Sequence, residues 1–283
     1  MRKLLFTCLA TILCTMVQAQ QLPHYSQYML NGFLVNPAVA GSENYVDVKM
    51  GWRNQWTGLE GAPESMYLTA HLPLNKTDNR ATASSFPSRW QNGRKALYEE
   101  YRKKDFHREQ GHHGAGLTVQ LDKAGVLKRS DAGLTYAYHL PVSRSLKLAG
   151  GFSAGVSVYK VDQSRLKLTD PNDPTYTSGY HDRVQPNITV GTLLYSKRYY
   201  VGATAAQLFQ DELALEENQG NDVDRAQAHY ALTGGYKVVL SPAVSLLPST
   251  LIKYVPSAPV AADVNLKVLY RDFLWAGASY RKR

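Results

Sequence analysis

The chain has 283 residues with a formal net charge of +9, a pI near 9.4, 44% hydrophobic and only 19% charged residues. That apolar content excludes a disordered chain, and 21 glycines without a triplet period exclude collagen. Tyrosine is the unusual component, 19 against 7 Phe and 4 Trp, and suits a surface that is apolar at one depth and wet at another.

Residues 1–19 read as a secretory signal peptide. Met1-Arg2-Lys3 is a positive start, Leu4 to Val17 is an apolar run, and Val17 and Ala19 are small residues at −3 and −1 of a cleavage site. The run is too short for a transmembrane anchor. Leu13 is bulky where a lipoprotein signal ending at Cys14 would want Gly or Ala. Both cysteines, Cys8 and Cys14, lie in this segment, so the exported chain has no thiol and a charge of +7.

Residues 20–43 are poor in strand signals but carry Tyr25, Tyr28, Met29, Phe33 and Leu34, which need burial. Asn36-Pro37 and Ala40-Gly41-Ser42 are turn chemistry. The expectation is a segment packed inside or against the periplasmic mouth of a barrel formed by 44–283.

From residue 44 onward the pattern alternates. Leu146, Leu148, Phe152, Ala154, Val156 and Val158 form an apolar row, with Lys147, Gly151, Ser153, Gly155, Ser157 and Tyr159 between them. The same split appears at 112–121, 130–141 and 262–271. A period of two predicts strands with one apolar and one polar face. Eleven such segments occur: 44–56, 64–72, 112–121, 130–141, 146–160, 183–195, 199–209, 227–240, 244–255, 260–270 and 273–281. Most exceed the five or six residues usual in soluble domains and match the nine to eleven of a tilted membrane strand. With the signal peptide, this predicts an all-β, antiparallel outer-membrane barrel. A secreted β-sandwich or propeller stays open, because alternation does not say whether the apolar face meets lipid or a core.

From the fourth connection onward the even-numbered ones are tight, and the odd-numbered ones, including 122–129, 161–182 and 210–226, tend to be longer. Barrels have short periplasmic turns and long outer loops, so the even side is the periplasmic one. The second connection breaks the rule. Its basic insertion, 75–110, holds nine basic and five acidic residues. Arg94 to Arg108 contains no Gly or Pro and predicts a helix, or else a solvated charged loop.

Residues 23–74 resemble the start of the PorP/SprF family of type IX secretion outer-membrane proteins. The matching marks are Tyr25-Ser26-Gln27-Tyr28-Met29, Asn36-Pro37-Ala38-Val39-Ala40-Gly41-Ser42, Arg53-Asn54-Gln55-Trp56, Gly61-Ala62-Pro63 and His71-Leu72-Pro73-Leu74. The resemblance implies a non-enzymatic outer-membrane barrel of the secretion and gliding machinery. Its implied partners are outer-membrane lipid, periplasmic ring and cell-wall-binding components, and secreted cargo with a C-terminal secretion domain. It also implies about fourteen strands. Eleven is odd and the chain stops at Arg281-Lys282-Arg283, so the sequence reads as a fragment lacking its last strands. A diffusion porin or hydrophobic-solute channel is the alternative function. At the barrel end, Arg53 and Trp56 read as rim anchors.

Arg94, Lys95, Arg102, Lys103, Lys104 and Arg108 are the residues expected to dock a periplasmic partner. The outer loops 161–182 and 210–226 are expected to meet cargo. Enzyme chemistry finds little support. Gly151-Phe152-Ser153-Ala154-Gly155 has the nucleophile-elbow spacing, but the alternation runs through it without the required strand-to-helix turn. His107, His112 and His113 are close in sequence, yet neighbours on a strand face opposite ways. Asp170 and Asp173 lack calcium-loop spacing. No metal or cofactor is expected, and the dispersed positive charge of an exported chain does not suit nucleic acid.

Overall fold

A computed structural model describes residues 29–76, 83, 111–143, 145–162, 183–208, 227–256, 258–271 and 274–282. The signal segment, the motif residues Tyr25, Ser26, Gln27 and Tyr28, and most of the basic insertion lie outside these. The described part is one antiparallel sheet: β1 (Asp47–Asn54), β2 (Glu64–Leu74), β3 (His112–Ala124), β4 (Leu127–Pro141), β5 (Lys147–Val161), β6 (Arg183–Tyr195), β7 (Tyr199–Ala206), β8 (His229–Tyr236), β9 (Val238–Val239), β10 (Val244–Val255), β11 (Ala258–Tyr270) and β12 (Leu274–Lys282). Neighbours in sequence are neighbours in space, except that the two-residue β9 hangs on β10 and β8 pairs with β10 directly. Eleven long strands therefore form the path, bounded by β1 and β12, which do not pair with each other. Two 3-10 turns, Gly32–Leu34 and Pro37–Val39, precede the sheet.

Two expectations need correction. Residues 122–129 are not a long connection: β3 and β4 stay paired to Ala124 and Leu127, and only Gly125-Val126 turn the chain. Strand ends that project into water carry charges freely, and Asp122, Lys123, Lys128 and Arg129 mimicked a loop. The predicted strand 227–240 is also interrupted at Lys237 and resumes only as β9.

The polar face of the strands is the buried one. On β4, Asp131, Thr135 and His139 are buried while Leu134 is 70% and Tyr136 52% exposed. On β11, Asp263, Asn265 and Lys267 are buried between Val264 and Leu266, which are 56% and 44% exposed. In water this arrangement loses twice, by desolvating charge and by exposing side chains each worth about 1.5–3 kcal/mol when buried. It is stable where the outside is hydrocarbon. The outward face also carries aromatics near both strand ends. Tyr138, Tyr199, Tyr236 and Tyr270 lie toward the short turns, with Tyr199 and Tyr236 directly paired. Trp52, Tyr230, Tyr254 and Tyr280 lie toward the other end, where the Trp52 indole donates to Glu64 at 2.7 Å and Tyr230 stacks on Tyr254. Such belts mark the two membrane interfaces. No described helix is long and apolar enough to cross a membrane; the strands do so.

Candidate functional site: a plug in the short-turn mouth

Residues 29–43 lie against the inward face of the sheet and touch seven strands, β2 to β7 and β12. Met29 reaches Gly277 on β12, Asn31 donates to Thr69 Oγ1 on β2 at 2.8 Å, and Asn36 Nδ2 donates to the Thr192 carbonyl on β6 at 2.9 Å. A segment that contacts both β2 and β12 is one the sheet wraps around. The strand ends it meets are those that lead into the short turns.

Local chemistry shapes this plug. Asn36 caps the second 3-10 turn by accepting from the Ala38 N–H at 2.9 Å, with Pro37 at the first position, where its missing N–H costs nothing. Gly41 has φ +77°, which favours glycine. The wall is shaped to receive backbone. A Cβ on Gly151 would stand 2.5 Å from Ala38 Cα, and one on Gly41 would stand 2.5 Å from Gly114 Cα. Asn36, Ala38, Ala40 and Ser42 are buried as a result.

Three histidines from adjacent strands grip two successive peptide groups. His139 Nε2–H donates to the Ala40 carbonyl at 2.7 Å, and His112 Nε2–H donates to the Gly41 carbonyl at 3.1 Å. The Gly41 N–H donates to His71 Nδ1 at 3.3 Å. Backbone carbonyls only accept and N–H groups only donate, so these partners fix which ring nitrogen carries hydrogen. The hydrogen of His71 then sits on Nε2, facing Asp47 Oδ2 at 3.4 Å. The second nitrogen of His139 receives the Tyr195 hydroxyl at 2.9 Å. His112 and His139 stack with centroids 4.3 Å apart, and Phe33 meets His71 edge-on at 4.9 Å. Lys76 Nζ closes the set by donating to the Ser42 and Glu43 carbonyls. Just beyond the plug, burial pushes the Tyr45 hydroxyl well above its ordinary pKa, with Glu43 and Asp47 adding to the rise, so it stays protonated.

A model of the family described as "Type IX secretion system membrane protein PorP/SprF" matches residues 17–283. The chain belongs to the PorP/SprF family. It is therefore a type IX secretion component of the outer membrane, in a family of membrane components and not of enzymes. No curated protein and no solved structure matches it.

The PorP/SprF motif residues separate into two places. Asn36, Pro37 and Gly41 build the plug. Arg53 and Asn54 end β1 at the opposite mouth, Gln55 N–H donates to the Pro63 carbonyl at 3.0 Å, and Trp56 is exposed at φ +52°. Arg94, Lys95, Arg102, Lys103, Lys104 and Arg108 lie outside the described residues, as do His107, Asp170 and Asp173. Ser153 sits within the unbroken β5 and receives a hydrogen bond from the Thr135 hydroxyl at 3.0 Å, so no elbow forms. His112 points into the barrel and His113 out, against Tyr136 and Tyr138. Among the described residues no three His, Cys, Asp or Glu side chains are grouped to hold a metal.

Sequence reasoning missed His139, Lys76 and Tyr195, and took His71 only as part of a family mark. A signal existed. His71-Leu72-Pro73 and His139-Leu140-Pro141 are the same tripeptide, each near the short-turn end of a strand running that way, with its His on the polar face.

Proposed function

We propose that this protein is a non-enzymatic barrel that assists secretion or surface attachment of cargo carrying a C-terminal secretion domain, with its short-turn end in the periplasm. The observation that carries this reading is the plug. A general diffusion porin needs an aqueous path, and here a buried, backbone-anchored segment occupies one mouth. Residues 20–43 act as the closure of the periplasmic mouth, and 44–283 as the barrel wall.

Partner contacts divide between the two ends. The insertion 75–110 carries Arg94, Lys95, Arg102, Lys103, Lys104 and Arg108 on the periplasmic side, where ring and cell-wall-binding components of the machinery lie. Long cationic side chains there steer association more than they add affinity. Loops 161–182 and 210–226, polar and rich in Asp, Asn and Pro, face outward and meet cargo. Lipid covers the apolar outer face, and nucleic acid has no role.

Two experiments test this. Reconstituted in planar bilayers, the intact protein should be silent; steady conductance from the unaltered chain would return the porin reading. In cells, reversing the six insertion residues to Glu should release ring components in a pull-down while the barrel still inserts. A partner retained at moderate salt would remove the docking role.

A further inference from the structure

The outward aromatic belt at the long-connection end is broken on one side of the barrel. On β8, β10, β12 and β1 it consists of Tyr230, Tyr254, Tyr280 and Trp52. On β3, β4 and β5 no outward residue beyond the Tyr136–Phe152 pair is aromatic, and the positions in register with Trp52 are Leu121, Ser130 and Val158. Two residues further out on each strand stand Lys123, Lys128 and Lys160. Lys123 is paired directly with Lys128, and Lys128 with Lys160, on the face that Leu121, Leu134 and Val156 expose. Like charges directly opposite one another destabilise a sheet, and here they occur twice in succession. Two carboxylates stand near the row. Glu64 heads it and accepts the Trp52 indole, and Asp162, past the end of β5, is held by Lys128 at 2.9 Å. Beneath the lysines the wall is low. Ser130 and Ala132 are exposed on β4, between Leu121 and Val119 on one side and Val158 and Val156 on the other. A shallow furrow therefore runs along β4 from Lys128 down to Leu134.

We infer that this patch is a binding site for a phosphorylated glycolipid of the outer leaflet, with its phosphate on the lysine row and an acyl chain in the furrow. Depth and charge both select that ligand. Strands rise about 3.4 Å per residue, so the row lies about 7 Å outside the belt, at headgroup level. Ammoniums on neighbouring strands, whose backbones are about 5 Å apart, can converge on one phosphate. A phosphate monoester, with a charge of about −1.5 to −2, suits three lysines better than the single charge of a phosphodiester. Bound there, it turns a repulsive ladder into a shared contact. A soluble anion would gain nothing from the apolar furrow. A protein is the poorer fit because the patch faces sideways into the bilayer and not along the barrel axis. The site rests on the reading that the long connections face outward.

The test uses the full chain, extracted from its host's outer membrane in mild detergent, delipidated, and titrated with the host's purified outer-leaflet glycolipid. Native mass spectrometry should show saturable binding. The same glycolipid stripped of phosphate, phosphatidylglycerol, and inorganic phosphate should each bind at least about tenfold more weakly. Combining Lys123→Gln, Lys128→Gln and Lys160→Gln should weaken glycolipid binding roughly a hundredfold, the loss expected from three cations beside an anionic lipid. Lys282→Gln, on the outward face of β12, is the control and should change nothing. Without glycolipid the triple variant should unfold in urea no earlier than the parent, because it has lost only repulsion. If it does unfold earlier, Lys123→Gln alone should still lower glycolipid binding. Unchanged binding in these variants, or equal binding of the phosphate-free glycolipid, phosphatidylglycerol or inorganic phosphate, overturns the inference. A thiol introduced by Val126→Cys, on the β3–β4 turn, that labels only after the outer membrane is permeabilised overturns instead the sidedness on which the site rests.

Discussion

The two halves of the barrel interior solve the problem of buried polarity in different ways. Toward the long connections, several inward side chains pair with one another, although both carboxylate oxygens of Asp122 are buried there without a hydrogen-bond partner. Arg281 makes a two-pronged contact with Asp263 through Nε at 2.6 Å and Nη2 at 2.9 Å, and Asp131 gathers Arg129 and the Ser157 hydroxyl, which in turn receives Asn187. Toward the short turns, the wall directs its histidines and Lys76 at the backbone of another segment and leaves glycine where that backbone passes. A self-paired wall is indifferent to what fills it. A wall that pairs with a guest requires the guest, because removing it would strand buried donors and acceptors. The plug is thus part of the fold at one end, and the other end can stand without an occupant.

The largest effect that separates the halves should come from Gly151→Val. The new side chain meets Ala38 and Pro37 backbone atoms that have no room to yield, so the plug must leave or the strand must distort. The expected outcome is a conducting or protease-sensitive barrel, read by bilayer recording and by digestion of residues 29–43. Gly150→Val is the matched control. Its Cβ points outward with nothing within 4 Å, and the variant should behave as the parent does. If Gly151→Val stays silent and protected, the segment is not held where the contacts place it.

Next comes Arg281→Ala, which strands a buried Asp263 in the self-paired half. Breaking a buried pair from one side costs about 3–5 kcal/mol, and less where water penetrates the lumen. Urea unfolding of the refolded protein in detergent should show the loss, yet the plug should remain shut. Conductance in this variant would mean that the halves are mechanically linked.

His139→Ala should cost about 1–3 kcal/mol, since the Ala40 carbonyl loses its donor and Tyr195 its acceptor. Here the signature reverses: brief channel openings, with a smaller loss in unfolding than Arg281→Ala shows. Gln in place of His139 can still offer an N–H and should restore part of the closure, which a purely space-filling role for the ring would not explain.

How far this division was legible in the sequence follows from what each half uses. A period of two located the long strands within a few residues at most ends, because membrane strands must keep one face apolar for their whole length. It could not say which residues of the polar face look at each other and which look at a guest. His71 and His139 are spaced like any inward residues, and only their shared Leu-Pro context hints at a common task. The turn chemistry of Asn36-Pro37 and Gly41 was legible as turns. That these turns would fit glycines on β3 and β5 depends on contacts more than seventy residues apart, which no local pattern carries.

The smallest effect concerns Asn36, whose side chain does two jobs. Its Oδ1 caps the turn at Pro37–Val39, and its Nδ2 reaches the Thr192 carbonyl on β6. Asn36→Ala removes both and should cost about 1 kcal/mol, the usual size of a lost cap. Asn36→Ser separates the jobs, because a serine hydroxyl can accept from the Ala38 N–H but is too short to span to β6. If the cap dominates, Ser should lie close to the parent in protease protection of the plug. If the tie to the wall dominates, Ser should lie close to Ala. The guest-pairing half predicts the second result, since the turn is only three residues long and the wall contact joins segments 156 positions apart. Equal protection in all three variants would mean that the histidines alone hold the plug.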